Sequence, residues 1–341
     1  MGAYSVLVKL ARRGTAVGAA LVAGLGFATV LAAHDFWIVP SAFEVGSDDW
    51  VEVRGQTGIR FPTSVSAVPP DRVADARVIG ASSEERIAEL SVSGKSLLLR
   101  HRPRAPGQRI VAVGLVTRTN REPAANLERY IGLEGAPELA ERYASEGAFA
   151  KTDSVTRHTT KFAKTIVEVG RGGRRVFART VGHSLELVPE TDPAALRTGD
   201  TFVVRLLFRG RALAQAHLHA GAASEGETAA EAPASPARQT DLSLVTDAGG
   251  TVRIPLDKPG LWNVRTLHAA PAATGAVGEW EVAFATLVFR VADSSAGPSL
   301  GGEPSGANAA ERATLKPSDS ATAAATVERV RPFSAPTGSR R

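Results

Sequence analysis

From residue 34 onward the chain is dominated by short runs in which apolar and polar residues alternate. Asp35–Phe43, Trp50–Gly55, Arg72–Ile79, Ile87–Leu90, Ser96–Arg102 and Gln108–Thr117 carry the two-residue period of strands with one buried face. Ser96–Arg100 is nearly all apolar, as a buried strand would be. Pro69-Pro70 and Pro103–Gly107 punctuate these runs. Residues 123–147 break the pattern. Pro123 suits a first helical turn, and Leu127, Tyr130 and Ile131, then Leu139 and Tyr143 after Pro137, keep helical spacing. One or two short helices are expected there. Strands resume with an expected hairpin, Thr159–Val169 and Arg174–Thr180 around Gly170–Gly173. His183–Pro189 then forms a short strand closed by a proline.

After a turn at Thr191-Asp192-Pro193 the alternation returns at Phe202–Phe208, Leu213–Ala220, Leu242–Val245, Val252–Pro255, Leu261–His268 and Ala283–Val291. The pattern predicts an all-β fold of two β-sandwich domains, immunoglobulin-like or transthyretin-like. The first spans 34–190 with the helices inserted at about 123–147, and the second spans 191–293. Gly221–Arg238, rich in Ala, Glu, Ser and Pro, is expected to be a mobile loop. Residues 294–341 have almost no large apolar side chains to offset their ordering entropy, so a disordered tail is expected.

The first 33 residues change the picture of where the protein works. Lys9, Arg12 and Arg13 precede an apolar stretch, Ala16–Ala33, that ends in the small pair Ala32-Ala33. This is the order of a cleavable signal peptide. Cleavage after Ala32 or Ala33 would leave a periplasmic or secreted protein with no stable membrane anchor. The chain has no cysteine, which excludes disulfides and thiolate metal sites. The net charge of +5 is scattered and aromatic residues are sparse, so nucleic acid is not an expected partner.

No nucleophile motif, phosphate loop, dinucleotide fingerprint or suggestive carboxylate pair is present, and the expectation is a protein without enzyme activity. Chemistry rests on seven histidines. If cleavage falls after Ala33, His34 becomes the first residue, and its α-amine and Nδ1 close a six-membered chelate on one metal ion. Nitrogen donors of this kind suit Ni(II), Co(II), Cu(II) and Zn(II), and Asp35 is expected to add an oxygen ligand or to hydrogen-bond a ligand from behind. His183 opens one strand and His268 closes another, where loops converge. His217 and His219, two apart, share a strand face and form a second candidate pair. His101 and His158 are expected at the surface.

The run Ala33-His34-Asp35-Phe36-Trp37-Ile38-Val39-Pro40 resembles the start of the exported bacterial proteins of DUF family 4198. Phe162-Ala163-Lys164-Thr165, Gly182-His183-Ser184-Leu185-Glu186-Leu187-Val188-Pro189, Thr246-Asp247-Ala248-Gly249-Gly250, Gly260-Leu261-Trp262 with His268, and Trp280 are similar to its later segments, over residues 33–293. The resemblance implies a β-rich periplasmic component of a cobalt or nickel uptake system, delivering its ion to a membrane metal permease. His34, Asp35, His183 and His268 are then the candidate ligands. Two other readings remain open: a copper site of the histidine-brace kind, and a metal-free envelope sandwich that acts as an interaction module.

Overall fold

The structure is a computed structural model that describes residues 35–223 and 241–294. The expected signal segment, His34, most of the 221–238 loop and nearly all of the expected tail lie outside the described residues. In chain order the strands are β1 (Asp35–Pro40), β2 (Glu44–Val45), β3 (Val51–Gly58), β4 (Val73–Ile79), β5 (Glu84–Arg86), β6 (Glu89–Ser93), β7 (Ser96–His101), β8 (Gly107–Leu115), β9 (Arg118–Pro123), β10 (Ser154–Val169), β11 (Leu185–Pro189), β12 (Thr201–Phe208), β13 (Arg211–Ala212), β14 (His217–Ala222), β15 (Leu242–Val245), β16 (Thr251–Pro255), β17 (Gly260–Pro271) and β18 (Glu279–Val291). Helices α1 (Ala124–Leu133) and α2 (Pro137–Ser145) fall in the expected insertion.

The protein is all-β, with its strands in three sheets. The largest has ten strands and runs β15-β14-β17-β18-β10-β8-β4-β5, with β2 and β9 also on β10. A first four-stranded sheet is β1-β3-β7-β6, and a second joins β11, β12, β13 and β16. The large sheet lies between the other two, as its side chains show. Ile110, Ala112 and Ile166 belong to the core shared with β11, β12 and β16, while Val111, Val113, Ala163 and Val167 belong to the core shared with β1, β3 and β7. Alternate residues of one strand thus feed two cores. This explains why all nine residues of β8 are buried. A strand covered on both faces has no solvent side to mark with polar residues.

The helical hairpin covers the rest of the face that β1 lies on. Leu127 and Ile131 of α1 point into a third core with Leu267, Ala269, Trp280, Val282 and Phe284. Trp280 stacks on Phe149 at 5.3 Å and meets Tyr143 edge-on at 4.9 Å, and the Tyr143 hydroxyl donates to the Ala269 carbonyl at 3.0 Å.

Two features differ from the sequence pattern. β10 pairs in parallel with β18, Thr156–Thr165 against Glu279–Val288. Strands on both sides of residue 190 therefore share the large sheet. The expected hairpin partner Arg174–Thr180 is not a strand. Both edges of β10 are already taken, by β18 and β2 on one side and by β9 and β8 on the other. The segment is held by the buried Gln108 instead, whose Oε1 accepts from the backbone nitrogens of Val176 and Phe177 at 2.8 and 2.7 Å. The backbone of Gly173 passes so close to Gly107 that a Cβ on it would lie 2.5 Å from the Gly107 Cα.

Candidate functional site

Asp35 is buried at the start of β1 and faces the large sheet. Its carboxylate lies 3.6 Å from the Arg265 guanidinium on β17. Thr286 on β18 donates to the Phe36 carbonyl at 2.7 Å and so fixes the neighbouring backbone of β1. His183 and His268 lie on the opposite face. His268 shares its side of β17 with Trp262 and Val264, which pack toward β11 and β12, whereas Arg265 shares its side with Leu267 and Ala269, which pack toward the helices. His183 stacks on Phe162 at 4.5 Å, and His268 meets Phe208 at 4.5 Å. The large sheet therefore separates both histidines from Asp35. Among the described residues no group of three or more His, Asp or Glu side chains is close enough to hold a metal ion.

Burial pushes the pKa of His183 down to about 3, helped by the nearby charges of Lys164 and Arg77, and that of His268 down to about 4, helped by Arg142 and Arg209. Both rings are neutral at neutral pH. Next to His183 is a buried ion pair, Lys164 Nζ to Glu186 Oε1 at 2.8 Å. Glu186 also accepts from the backbone nitrogens of Val181 and Gly182 at 2.7 and 3.0 Å. Its carboxylate holds the loop that carries His183, which gives the glycine–histidine–glutamate segment an architectural role.

The other histidines divide similarly. His101, expected at the surface, has a side chain only 12% exposed, and burial lowers its pKa. Its flanking arginines signal a solvated edge, but the ring packs inward. His158 is partly exposed and paired with Glu279, with Thr119 Oγ1 3.0 Å from its Nδ1. His217 and His219 do share a face of β14, the face toward the helices. His219 Nε2 donates to the Gly135 carbonyl at 3.1 Å, and His217 Nε2 lies 2.8 Å from Glu138 Oε2.

The face around Asp35 carries a polar seam. His219 stands opposite Arg265 in register. Arg265 bridges from Asp35 to Asp241, which it meets at 2.8 Å. Glu134 closes α1 beside Gly135 and, with Asp35, acts on the ammonium of Lys161, whose pKa burial lowers against the pull of those two carboxylates. Asn263, two residues before Arg265 on the same face, is 4% exposed, and its Oδ1 accepts no hydrogen bond among the described residues. The carboxylates of Asp35, Glu134 and Asp241 are met by the cations Arg265 and Lys161, Arg118 and Arg157 also act on Lys161, and Arg157 is paired with Glu122 at 2.6 Å. Arg265, Lys161, Glu134, Asp241 and Asn263 were not among the residues singled out from sequence. The signal was present for two of them: Asn263 and Arg265 are polar positions within a strand whose other inward residues are apolar.

The model of a domain of unknown function, DUF4198, matches residues 31–270. The chain belongs to the DUF4198 family. The DUF4198 match begins just ahead of β1 and runs to the end of β17. Several of its recognisable segments have structural explanations. In Thr246–Gly250, Asp247 Oδ1 accepts from the nitrogens of Gly249 and Thr251 at 2.8 and 2.9 Å, which makes the turn into β16. Trp262 Nε1 donates to the Lys258 carbonyl at 2.9 Å. A search of curated proteins returns no match. Among solved structures, the D0–D1 domain of intimin is 10% identical over 75% of this chain and 98% of its own, with a TM-score of 0.17. The ectodomain of mouse nectin-like molecule 4 is 13% identical over 77% of this chain and 66% of its own, at 0.17. The Yersinia pseudotuberculosis adhesin InvE is 10% identical over 74% of this chain and 58% of its own, at 0.17. Likeness at this level carries no inference about binding.

Proposed function

We propose that this DUF4198 protein is exported and binds one divalent transition-metal ion, nickel or cobalt, at its mature N-terminus for delivery to a membrane uptake system. The observation that carries the reading is the placement of Asp35. The first described residue of β1 is buried in a seam of paired carboxylates and cations, and a buried amide oxygen of Asn263 lies on the same face. His34 is the residue immediately before it in the chain. Signal cleavage after Ala33 would create an α-amine and an imidazole at that point, and these donors suit a divalent late transition metal. Among the described residues no helix is long and apolar enough to cross a membrane. His183 and His268 are not part of this proposal, because the large sheet stands between them and Asp35.

The residues that fit the ion are therefore His34 and Asp35. The metal would be cargo held for transfer, and no catalytic step is assigned to it. Two measurements test the reading. Intact-mass analysis of secreted protein should show loss of residues 1–33. Calorimetric titration of that mature protein with Ni(II) and Co(II) should give one ion per chain, and a form retaining Met ahead of His34 should bind far more weakly. Mature protein that takes up no ion would overturn the reading and leave a metal-free envelope sandwich as the better account.

A further inference from the structure

We propose that a cavity beside the end of β17 is a binding site for a small carboxylate anion, held between the guanidinium of Arg142 and the ring of His268. The site is separate from the metal reading and uses neither Asp35 nor the polar seam.

The cavity exists because the large sheet is open at this point. β14 pairs with β17 from Leu218 opposite Thr266 onward, so past Thr266 that edge of β17 has no strand beside it. Leu267 and His268 form the floor. The turn at 213–217 forms one wall, and Ala136, Leu139 and Arg142 form the other. The space is about 40 Å³. At 10–15 Å³ for each water, that is room for about three, or for the head of a short carboxylate.

Three observations point to an anion. The first is His268. It is 8% exposed, its ring meets Phe208 at 4.5 Å, and neither ring nitrogen has a hydrogen-bond partner among the described residues. A neutral imidazole carries one N–H donor, and a buried donor without an acceptor is a cost that a ligand removes. Burial lowers the pKa of this ring, and the charges of Arg142 and Arg209 lower it further, so the field at the ring is positive.

The second is Arg142. Its neighbour is Tyr143, whose ring centre is 5.2 Å away. Glu138, four residues earlier on α2, would be its ordinary helical partner. His217 Nε2 engages Glu138 Oε2 instead, at 2.8 Å. Among the described residues Arg142 has no carboxylate within ion-pair distance, and a guanidinium matches a carboxylate with two parallel hydrogen bonds.

The third is Gln215, at the mouth. It has φ +55, a left-handed conformation of the kind that clusters at ligand clamps. Buried Thr246 holds it there. Thr246 Oγ1 accepts from the Ala216 nitrogen at 2.9 Å and donates to the Leu213 carbonyl at 2.7 Å, and the Thr246 carbonyl accepts from the Gln215 nitrogen at 3.1 Å. Gly250 closes in behind: a Cβ on it would lie 2.9 Å from the Leu213 nitrogen. The Thr246–Gly250 segment thus shapes one wall of the cavity. Ala136, Leu139, Leu213 and Leu267 make the rest of the lining apolar. One cation between apolar walls fits a singly charged anion with a short alkyl end. Phosphate would bring more oxygens than Arg142, His268 and Gln215 satisfy.

NMR of the full chain labelled with 15N and with 13C-histidine tests this, by titration with acetate and, at matched ionic strength, with chloride and inorganic phosphate. Acetate should shift the His268 ring and the Gln215 backbone amide saturably. Arg142→Gln and His268→Phe should each weaken binding about tenfold or more, the scale of a hydrogen bond to a charged group. Arg142→Lys should recover part of the loss, and Arg129→Gln on α1, outside the cavity, should bind as wild type does. The proposal is overturned by the absence of a saturable shift with acetate, by an equal shift with chloride, by equal binding of phosphate, or by wild-type affinity in Arg142→Gln. Arg142 is exposed on α2, so its variant decides even if His268→Phe disturbs the core.

Discussion

Glu186 and Lys164 are both almost completely buried, with side chains 2% and 3% exposed. Removing one partner of such a pair leaves an uncompensated charge, at a cost of about 3–5 kcal/mol. Glu186→Ala should therefore lower the urea midpoint severely, and it also strands the backbone nitrogens of Val181 and Gly182. The double variant Lys164→Met with Glu186→Leu should recover a large part of the loss, because no charge is then buried. His183 and His268 make a second prediction at this scale. Their folded pKa values, about 3 and about 4, lie below the unfolded value near 6.5. The unfolded chain binds these protons and the folded chain does not, so stability is undiminished above pH 6.5 and falls as pH drops toward 4. Each ring contributes a slope of up to about 1.4 kcal/mol per pH unit in that window. Denaturation of wild type and His268→Phe at pH 7 and pH 4.5 checks this. The stability difference between the two pH values should be smaller in the variant, and an equal difference would show that His268 does not titrate on unfolding.

The helical hairpin is the element whose attachment is easiest to isolate. It is held by rings: Trp280 on Phe149 and Tyr143, and Tyr130 edge-on to Phe284 at 6.4 Å. Trp280→Ala removes the centre of that cluster and should cost about 3–5 kcal/mol by the usual range for a buried aromatic. Hydrogen exchange should reveal the loss first in α1 and α2, with β8 and β12 protected as before. A uniform loss across all sheets would mean that the hairpin is not a separate cooperative layer. The sequence located both helices because their apolar spacing is local. It misassigned 174–180 because the strand pattern there is also local. Pairing is not: β10 has two edges, both are taken, and the segment meets the amide of Gln108 instead.

At the scale of the whole molecule, β10 and β18 join the two halves of the chain through ten register pairs of a parallel ladder. Cooperative loss of both halves is the expected consequence. The described core should unfold in a single calorimetric transition. A fragment of residues 191–293 should not fold alone, because β18 would expose the edge that β10 covers and Leu287, Phe289 and Val291 would lose the Ile110 and Ile166 side of their core. A folded fragment with a native-like melting transition would show that the second half is autonomous.

The sequence by itself determined the all-β class, most strand positions, the two helices and the prominence of Asp35 at the start of the first strand. These follow from periodicity over a few residues, which side-chain geometry imposes wherever a strand or helix forms. The family was legible too, since its segments include turns and buried anchors such as Asp247 and Glu186 that serve the fold. The membership of the polar seam was decided only by tertiary structure. Arg265 and His268 are three residues apart on one strand, and that odd offset sends one toward Asp35 and the other to the far side of the sheet. His219 joins the seam because β14 pairs with β17 in one particular register and a glycine loop from a distant helix pair meets its ring. A strand's own period says which residues share a face, but which faces meet is set by packing between segments far apart in the chain.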